Sequence, residues 1–341
     1  MALGPRHLGL TLMVLSGWAT PGLAQEDASL ELVERRLGVM GTDLQIGAIG
    51  ADTEKLEAAV EAAIAEIRRV EDLMTDWRPS PLLELNAAAG QGPVSVDPEL
   101  ARLVGRAIEI GRLTEGAFDV TFASVGSLWS FKKGREKLPE AEEVALALQH
   151  VDYSALRVDL EKSTVAIPQG SRIGLGGIAK GYGVDRAMAV LLEKGVRHGI
   201  VNAGGDLKVL GKKKGQLWEI AIRHPRDRER AIAVLRVSNT CVVTSGDYER
   251  FFEVDGHRYH HIIDPRTGYP ATGCMSATVV APDAAFADAL ATAFCVLGPE
   301  KSLEIAAELP RVGALLVGMD GEVHASPNLQ GFVKDPRHKD G

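Results

Sequence analysis

"IGLGGIAKGYGVDRA", residues 173–187, carries five glycines and one lysine directly after a short apolar lead-in. Gly174, Gly176 and Ala179 meet the G-x-G-x-x-A spacing of a dinucleotide-binding turn, a pattern of little specificity on its own. In a doubly wound parallel sheet, the next strand would end on an acid that holds a ribose. Here that strand-like run reaches Asn202, so the doubly wound fold is set aside. The glycines keep a chemical reading, because bare backbone N–H groups can approach an anion, a helix opening at Ile178 adds its positive end, and Lys180 adds a full charge. A tight loop packing helix on sheet accounts for the same residues without a ligand.

Outward from this segment, strand-like runs cover 31–40, 156–167, 199–209, 218–223, 231–237, 241–244 and 276–280, several separated only by turn residues. Helical periodicity covers 53–77, with apolar residues from Leu56 to Met74 three or four apart behind Asp52 or Thr53 as cap. A second helix opens at Asp97-Pro98-Glu99 and ends near Arg112, and a third opens at Pro139. Short strands outnumber helices and often follow one another directly. The expected class is α+β, with mixed, largely antiparallel sheets flanked by helices. Neither an internal repeat nor a low-complexity linker interrupts the chain, so residues 25–325 read as one domain and 326–341 as a polar, frayed tail.

Residues 1–24 read as a cleavable secretory signal: Arg6 and His7, an apolar run from Leu8 to Trp18, then Pro21-Gly22 and Leu23-Ala24 before Gln25. The run is too short to span a bilayer, and no Cys follows the expected cut to take a lipid. A periplasmic protein, exported and not lipid-anchored, is the expectation. The formal charge of −8 argues against a nucleic-acid partner, though not against phosphates held by backbone. Cys241, Cys274 and Cys295 lack C-x-x-C spacing and sit in apolar runs, which favours buried thiols.

"ADALATAFCVLG", residues 287–298, reads as a packed helix with an acid in the wrong company. Asp288 at the edge of a core costs roughly several kcal/mol unless something compensates it. At i and i+4, its carboxylate and the Thr292 hydroxyl rise on one face and can meet a small cation such as Mg2+, which takes its other oxygens from water and phosphates. A helix-surface Asp beside a Thr bonded to its own backbone is the competing reading. "VNAGGDLKVLG" (201–211) fits a hairpin turn almost as well as a ligand contact. In 241–271, "TSGD" lacks the G-x-S-x-G elbow of a serine hydrolase. His260 and His261 are adjacent and point to opposite faces of an extended chain, so zinc held by both together with Asp264 is disfavoured. Trp77, in "MTDWRPSPLLELN" (74–86), either stacks on a planar ligand or anchors a helix end in the core.

Taken in chain order, "VMGT" (39–42), "GAFDVT" (116–121), "GGIAKGYGVD", "NAGGDL", "TSGDYERFF", "HIIDPRTGYP" and "ADALATA" resemble the ApbE family, the FAD:protein FMN transferases, over nearly the whole mature chain. The resemblance implies an ApbE-like fold and a transferase that cleaves FAD at its pyrophosphate. FMN is joined by a phosphoester to a Thr or Ser of an exported redox protein, and AMP leaves. FAD contacts are implied at Met40, Trp77, Ala117, Phe118, Asp119, Gly176, Lys180 and Ile262, and Mg2+ ligands at Asp288, Thr292 and the main-chain carbonyl of Gly177. Lys180 and His261 take the catalytic roles, His261 as base for the incoming hydroxyl. Implied acceptors are respiratory subunits with exported flavin domains, the regulator of nitrous oxide reductase among them, as for the NosX-like branch. In one departure, the family usually reads Asp or Asn before "LGGIAKGY", where this chain has Gly174. That departure keeps an FAD-binding or delivery protein without transfer in view. An Mg2+-dependent FAD pyrophosphatase, with water in place of the acceptor, is a third function.

Overall fold

A computed structural model describes residues 30–332; residues 1–29, with the signal expected at 1–24, and residues 333–341 lie outside the described residues. Eight strands form the central sheet: β1 Glu31–Val39, β2 Thr42–Gly50, β3 His198–Ala203, β4 Asp206–Leu210, β5 Thr240–Gly246, β6 Cys274–Ala281, β7 Gly313–Gly318 and β8 Val323–Ala325. They lie side by side in chain order, and every neighbouring pair is antiparallel. The α+β expectation holds, and the antiparallel character extends to the whole sheet. Sharp turns close two of the hairpins. Met40 and Gly41 join β1 to β2 with φ of 51° and 69°, and Gly204 and Gly205 join β3 to β4 with φ of 61° and 100°. The single strand-like run at 199–209 is therefore a hairpin, because only glycines follow the twist there so cheaply.

The middle of the sheet is covered on both faces, with side chains alternating between two layers. Ile46, Ala48, Val201, Val243 and Val279 belong to the core beneath the helices. Val209, Val242, Val280 and Leu315 face the other way and pack on Trp218, Ile222, Leu235 and Val237 of a hairpin, Trp218–His224 with Asp227–Val237. The helical layer is α1 Thr53–Met74, α2 Pro98–Leu113, α3 Ala179–Glu193, α4 Ala284–Leu297 and α5 Pro299–Glu308. In α1, Asp52 caps the first turn by accepting from Lys55 N at 3.2 Å, and Val60, Ile64, Ile67 and Val70 are buried at helical spacing. Each such side chain contributes about 1.5–3 kcal/mol through the apolar area it removes from water.

Three readings shift. The first helix stops at Met74 rather than residue 77, so Trp77 stands beyond it. The run at 156–167 splits into Arg157–Asp159 and Thr164–Ala166. The described part of the tail is packed rather than frayed: Ser326 Oγ accepts from Ala314 N at 2.9 Å, and Leu329 is buried. All three cysteines are free and buried.

Two helices that meet head-on organise the site. Asp185 of α3 accepts from the N–H groups of Ala284 and Ala285 at 2.8 and 3.0 Å, while Asp288 of α4 accepts from Gly181 N at 3.1 Å. Each helix supplies an acid that caps the other's first turn, where donors are otherwise unsatisfied. The approach is close enough that a Cβ on Gly181 would collide with the Ala284 carbonyl. Gly181→Ala is therefore expected to lower stability by about 1–3 kcal/mol, read as a lower urea midpoint at unchanged slope.

Candidate active site

A cleft of ≈ 240 Å³ opens above this helix junction. Its walls are the β1–β2 turn, the end of α1 from Met74 to Trp77, the 117–122 segment, the loop 174–177, the 244–250 loop and the 261–265 segment. Every residue that the resemblance assigns lines it: Met40, Trp77, Ala117, Phe118, Asp119, Gly176, Gly177, Lys180, His261, Ile262, Asp288 and Thr292. They come from six segments of chain spread over roughly two and a half hundred positions, so only the fold assembles them.

At its floor the Lys180 ammonium bonds Asp206, and Asp288 Oδ1 lies 3.3 Å away. Both carboxyl groups are 1% exposed. Burial by itself would push Lys180 down, but the two acids outweigh it and hold it charged above its ordinary range. Burial pushes Asp206 well up, the Asp288 charge adds to that push, and Lys180 opposes it. One ammonium against two buried carboxyl groups leaves the cluster with a shared proton or a second cation.

Beside Asp288, the Thr292 hydroxyl has no hydrogen-bond partner among the described residues, so it is not tied to its own backbone. A Cβ at Gly177 would sit 3.3 Å from Thr292 Oγ1, which puts that stretch of main chain against the hydroxyl. Carboxylate, hydroxyl and peptide oxygen are hard donors that suit Mg2+. No three His, Cys, Asp or Glu side chains converge among the described residues, so a divalent ion here would rest on few protein oxygens, as Mg2+ commonly does.

The cleft carries the marks of a polar ligand. Among the described residues, the two buried side-chain polar atoms without a partner are Thr75 Oγ1 and His261 Nδ1, and both residues line it. Buried atoms of this kind are rarely left alone. Gly176 adds a second mark, because a Cβ there would meet nothing within 4 Å. Packing explains Gly181 and Gly183, the latter by its closeness to Met40, but it does not explain Gly176. Trp77 is 56% exposed at the rim and anchors no core, leaving its indole face available for stacking.

Asp119 is less available. Its Oδ1 accepts from Thr121 N and Oγ1 at 2.7 and 2.6 Å and its Oδ2 from Tyr153 N at 3.0 Å, so the carboxylate shapes the wall from inside. Burial nonetheless pushes its carboxyl upward. His261 follows the hairpin Phe251–Val254 with His257–His260, which is held by the Trp129 ring stacked on Tyr259 at 5.8 Å. Trp129 Nε1 also donates to Gly268 O at 3.0 Å. Burial, with His260, Arg250 and Lys180 adding to it, pushes His261 down to about 3, so its ring is neutral at physiological pH. His260 turns away and its Nε2 bonds the Ala271 carbonyl at 2.8 Å.

The ApbE family model matches residues 40–316. The chain belongs to the ApbE family. It is 36% identical over 298 residues to the FAD:protein FMN transferase of Treponema pallidum, covering 82% of each chain. It is likewise 36% identical over 283 residues to the Haemophilus influenzae protein of that name, covering 78% of this chain and 81% of the relative. Its fold matches the ApbE protein of Thermotoga maritima with a TM-score of 0.82 at 35% identity, over 89% of this chain and 100% of that one. The flavin transferase ApbE of Vibrio cholerae matches with a TM-score of 0.77 at 30% identity, over 89% and 99%.

Within this ApbE chain, Gly174 donates its N–H to Val120 O at 2.8 Å, and a Cβ there would lie 3.0 Å from that of Ala123. Phe122 and Ala123 fill the room that an acid at 174 would need. Sequence reasoning weighed 201–211 as a turn or a ligand contact without assigning Asp206 to the site, although an acid directly after a Gly pair was the available signal. It also missed Glu71, whose Oε1 accepts from Met40 N at 2.9 Å and holds that residue in its left-handed turn, and Arg250, which donates to Gly41 O at 3.0 Å across the cleft mouth.

Lys180→Met strands two buried carboxyl groups and should lower stability by about 3 kcal/mol, the low end of the range because the lysine side chain is 30% exposed, measured by denaturant titration. The histidine gives a pH signature. An unfolded imidazole binds a proton below about 6.5 that the native His261 refuses until about 3, so stability is complete above pH 6.5 and falls as the pH drops toward 3. His261→Gln should lack this part of the acid loss when Tm is followed against pH.

Proposed function

We propose that the protein is an Mg2+-dependent FAD:protein FMN transferase that works in the periplasm on an exported redox protein. The observation that carries the reading is the pair of unpartnered buried atoms, Thr75 Oγ1 and His261 Nδ1, in a cleft that also holds an ammonium, an open glycine loop and an exposed indole. Such a site suits a ligand with a planar ring at one end and phosphates at the other. Membership of the family whose curated relatives bear that transferase name supports it.

In the reaction, the acceptor hydroxyl oxygen bonds to the phosphorus on the FMN side. The P–O bond to the adenylate breaks, AMP departs with the electron pair, and the hydroxyl proton is taken up. His261 is the group for that proton, being neutral and unpartnered at Nδ1. Phosphate charges bound nearby favour its protonated form and offset the burial that weakens it as a base. Lys180 and the N–H groups of the 174–177 loop disperse the negative charge that the transfer develops, and Trp77 orients the ring end. Asp288, Thr292 and the Gly177 carbonyl would hold Mg2+, which when bound draws further charge from the pyrophosphate. The secretory pattern of residues 1–24, together with described helices of which none is long and apolar enough to cross a membrane, supports export to the periplasm.

The test is to incubate the purified protein with FAD, Mg2+ and the flavin domain of an exported respiratory subunit, then weigh that domain. A mass gain of one FMN phosphoester is expected. AMP release without any gain points to a pyrophosphatase, and bound but intact FAD to a delivery protein. Asp288→Ala should reduce transfer about 10²–10³-fold while FAD affinity, followed by flavin fluorescence, changes little.

A further inference from the structure

Thr42, Gly204, Thr244 and Glu249 line the cleft, and the same four residues line a second groove of ≈ 1050 Å³. This groove runs over the sheet face opposite the helices, where Leu207 and Val242 form part of its floor. Its entrance meets the cleft near Lys180: Asp206, the partner of that lysine, lies two residues beyond Gly204 and pairs across the ladder with Val243, next to Thr244.

One wall is the strand Trp218–His224, which among the described residues has a neighbour on one side only. The register reveals what its other side offers. Arg236 N–H donates to Phe332 O, away from the hairpin, and Arg236 stands opposite Glu219. Antiparallel ladders alternate, so Ala221, two residues on, turns its N–H and C=O toward the groove it lines. Among the described residues, no hydrogen bond outside the hairpin ladder reaches these two groups. Arg223, exposed on the same edge, pairs with no acid among the described residues. Folded proteins usually blunt or cover such an edge.

We propose that this groove is the acceptor-binding site: an extended segment of the acceptor polypeptide adds as a strand along Trp218–His224 and carries its Ser or Thr hydroxyl past Thr244 into the cleft at the Lys180 end. The proposal rests on the transferase reading, which requires a second substrate that is itself a polypeptide. It is carried by the continuity of groove and cleft and by the unpaired edge. Main-chain pairing supplies affinity without demanding one sequence, and side chains such as Arg223 add selectivity.

The experiment measures transfer of FMN to the flavin domain of an exported respiratory subunit, as a function of its concentration, for wild type, Ala221→Pro and Arg223→Glu. Proline at an unpaired edge position removes only that N–H and leaves the ladder intact. Both variants should raise the acceptor KM about tenfold, the loss of one or two backbone or charge-assisted hydrogen bonds, with kcat and FAD affinity within about twofold of wild type. The Tm should be unaltered, which reports an intact fold. An unchanged acceptor KM in both variants overturns the docking site while leaving the transferase reading in place. Absence of transfer by the wild type overturns that reading and the docking site with it.

Discussion

The junction of α3 and α4 is the constraint on which the rest of this structure depends. Gly181 lets the two first turns touch, Asp185 caps one helix and Asp288 caps the other. Because both acids are engaged by backbone N–H groups, their positions are set by helix geometry rather than by flexible side-chain contacts. Asp288 therefore arrives at the cleft floor with one oxygen committed to Gly181 and the other directed at Lys180. An acid that looks misplaced on an apolar helix is a cap first, and its reactive environment follows from that duty.

The sheet supplies the second fixed point. Asp206 stands at the start of β4 immediately after the Gly204-Gly205 turn, and that turn brings its carboxyl beneath Lys180. Sheet and helical layer thus meet at one ammonium held between two carboxyl groups. The remaining walls belong to other segments. They come from the 244–250 loop, tied to the β1–β2 turn through Arg250 and Gly41, and from the aromatic cluster around Trp129 that carries His261. A rigid floor under walls built from separate loops suits a site that must take a large dinucleotide and then a second, polymeric substrate.

Much of this was legible in the residues. The strand expected at 276–280 forms within Cys274–Ala281, and the helix expected at 53–77 forms over Thr53–Met74, because burial of one face or two sets both patterns. β7 was missed because Gly313–Gly318 is buried on both sides, and a short continuous apolar run has no period to read. The helix end at Met74 was overrun because Trp77 extends the apolar spacing while Thr75 already leaves the helix. The choice between core anchor and ligand platform for Trp77 could not be made from spacing, which is the same in both cases.

The sequence by itself determined the local chemistry: which turns need glycine, which helices carry acids at their starts, and the ordered motifs by which the chain resembles its family. Those properties depend on residues close together along the chain, where backbone sterics and side-chain period act directly. Only the tertiary structure decided that Asp206 shares Lys180 with Asp288, that His261 is neutral and unpartnered, and that an open strand edge leads to the same cleft. Each of these depends on burial and on groups brought together from distant positions, and neither is a property of any one stretch of residues.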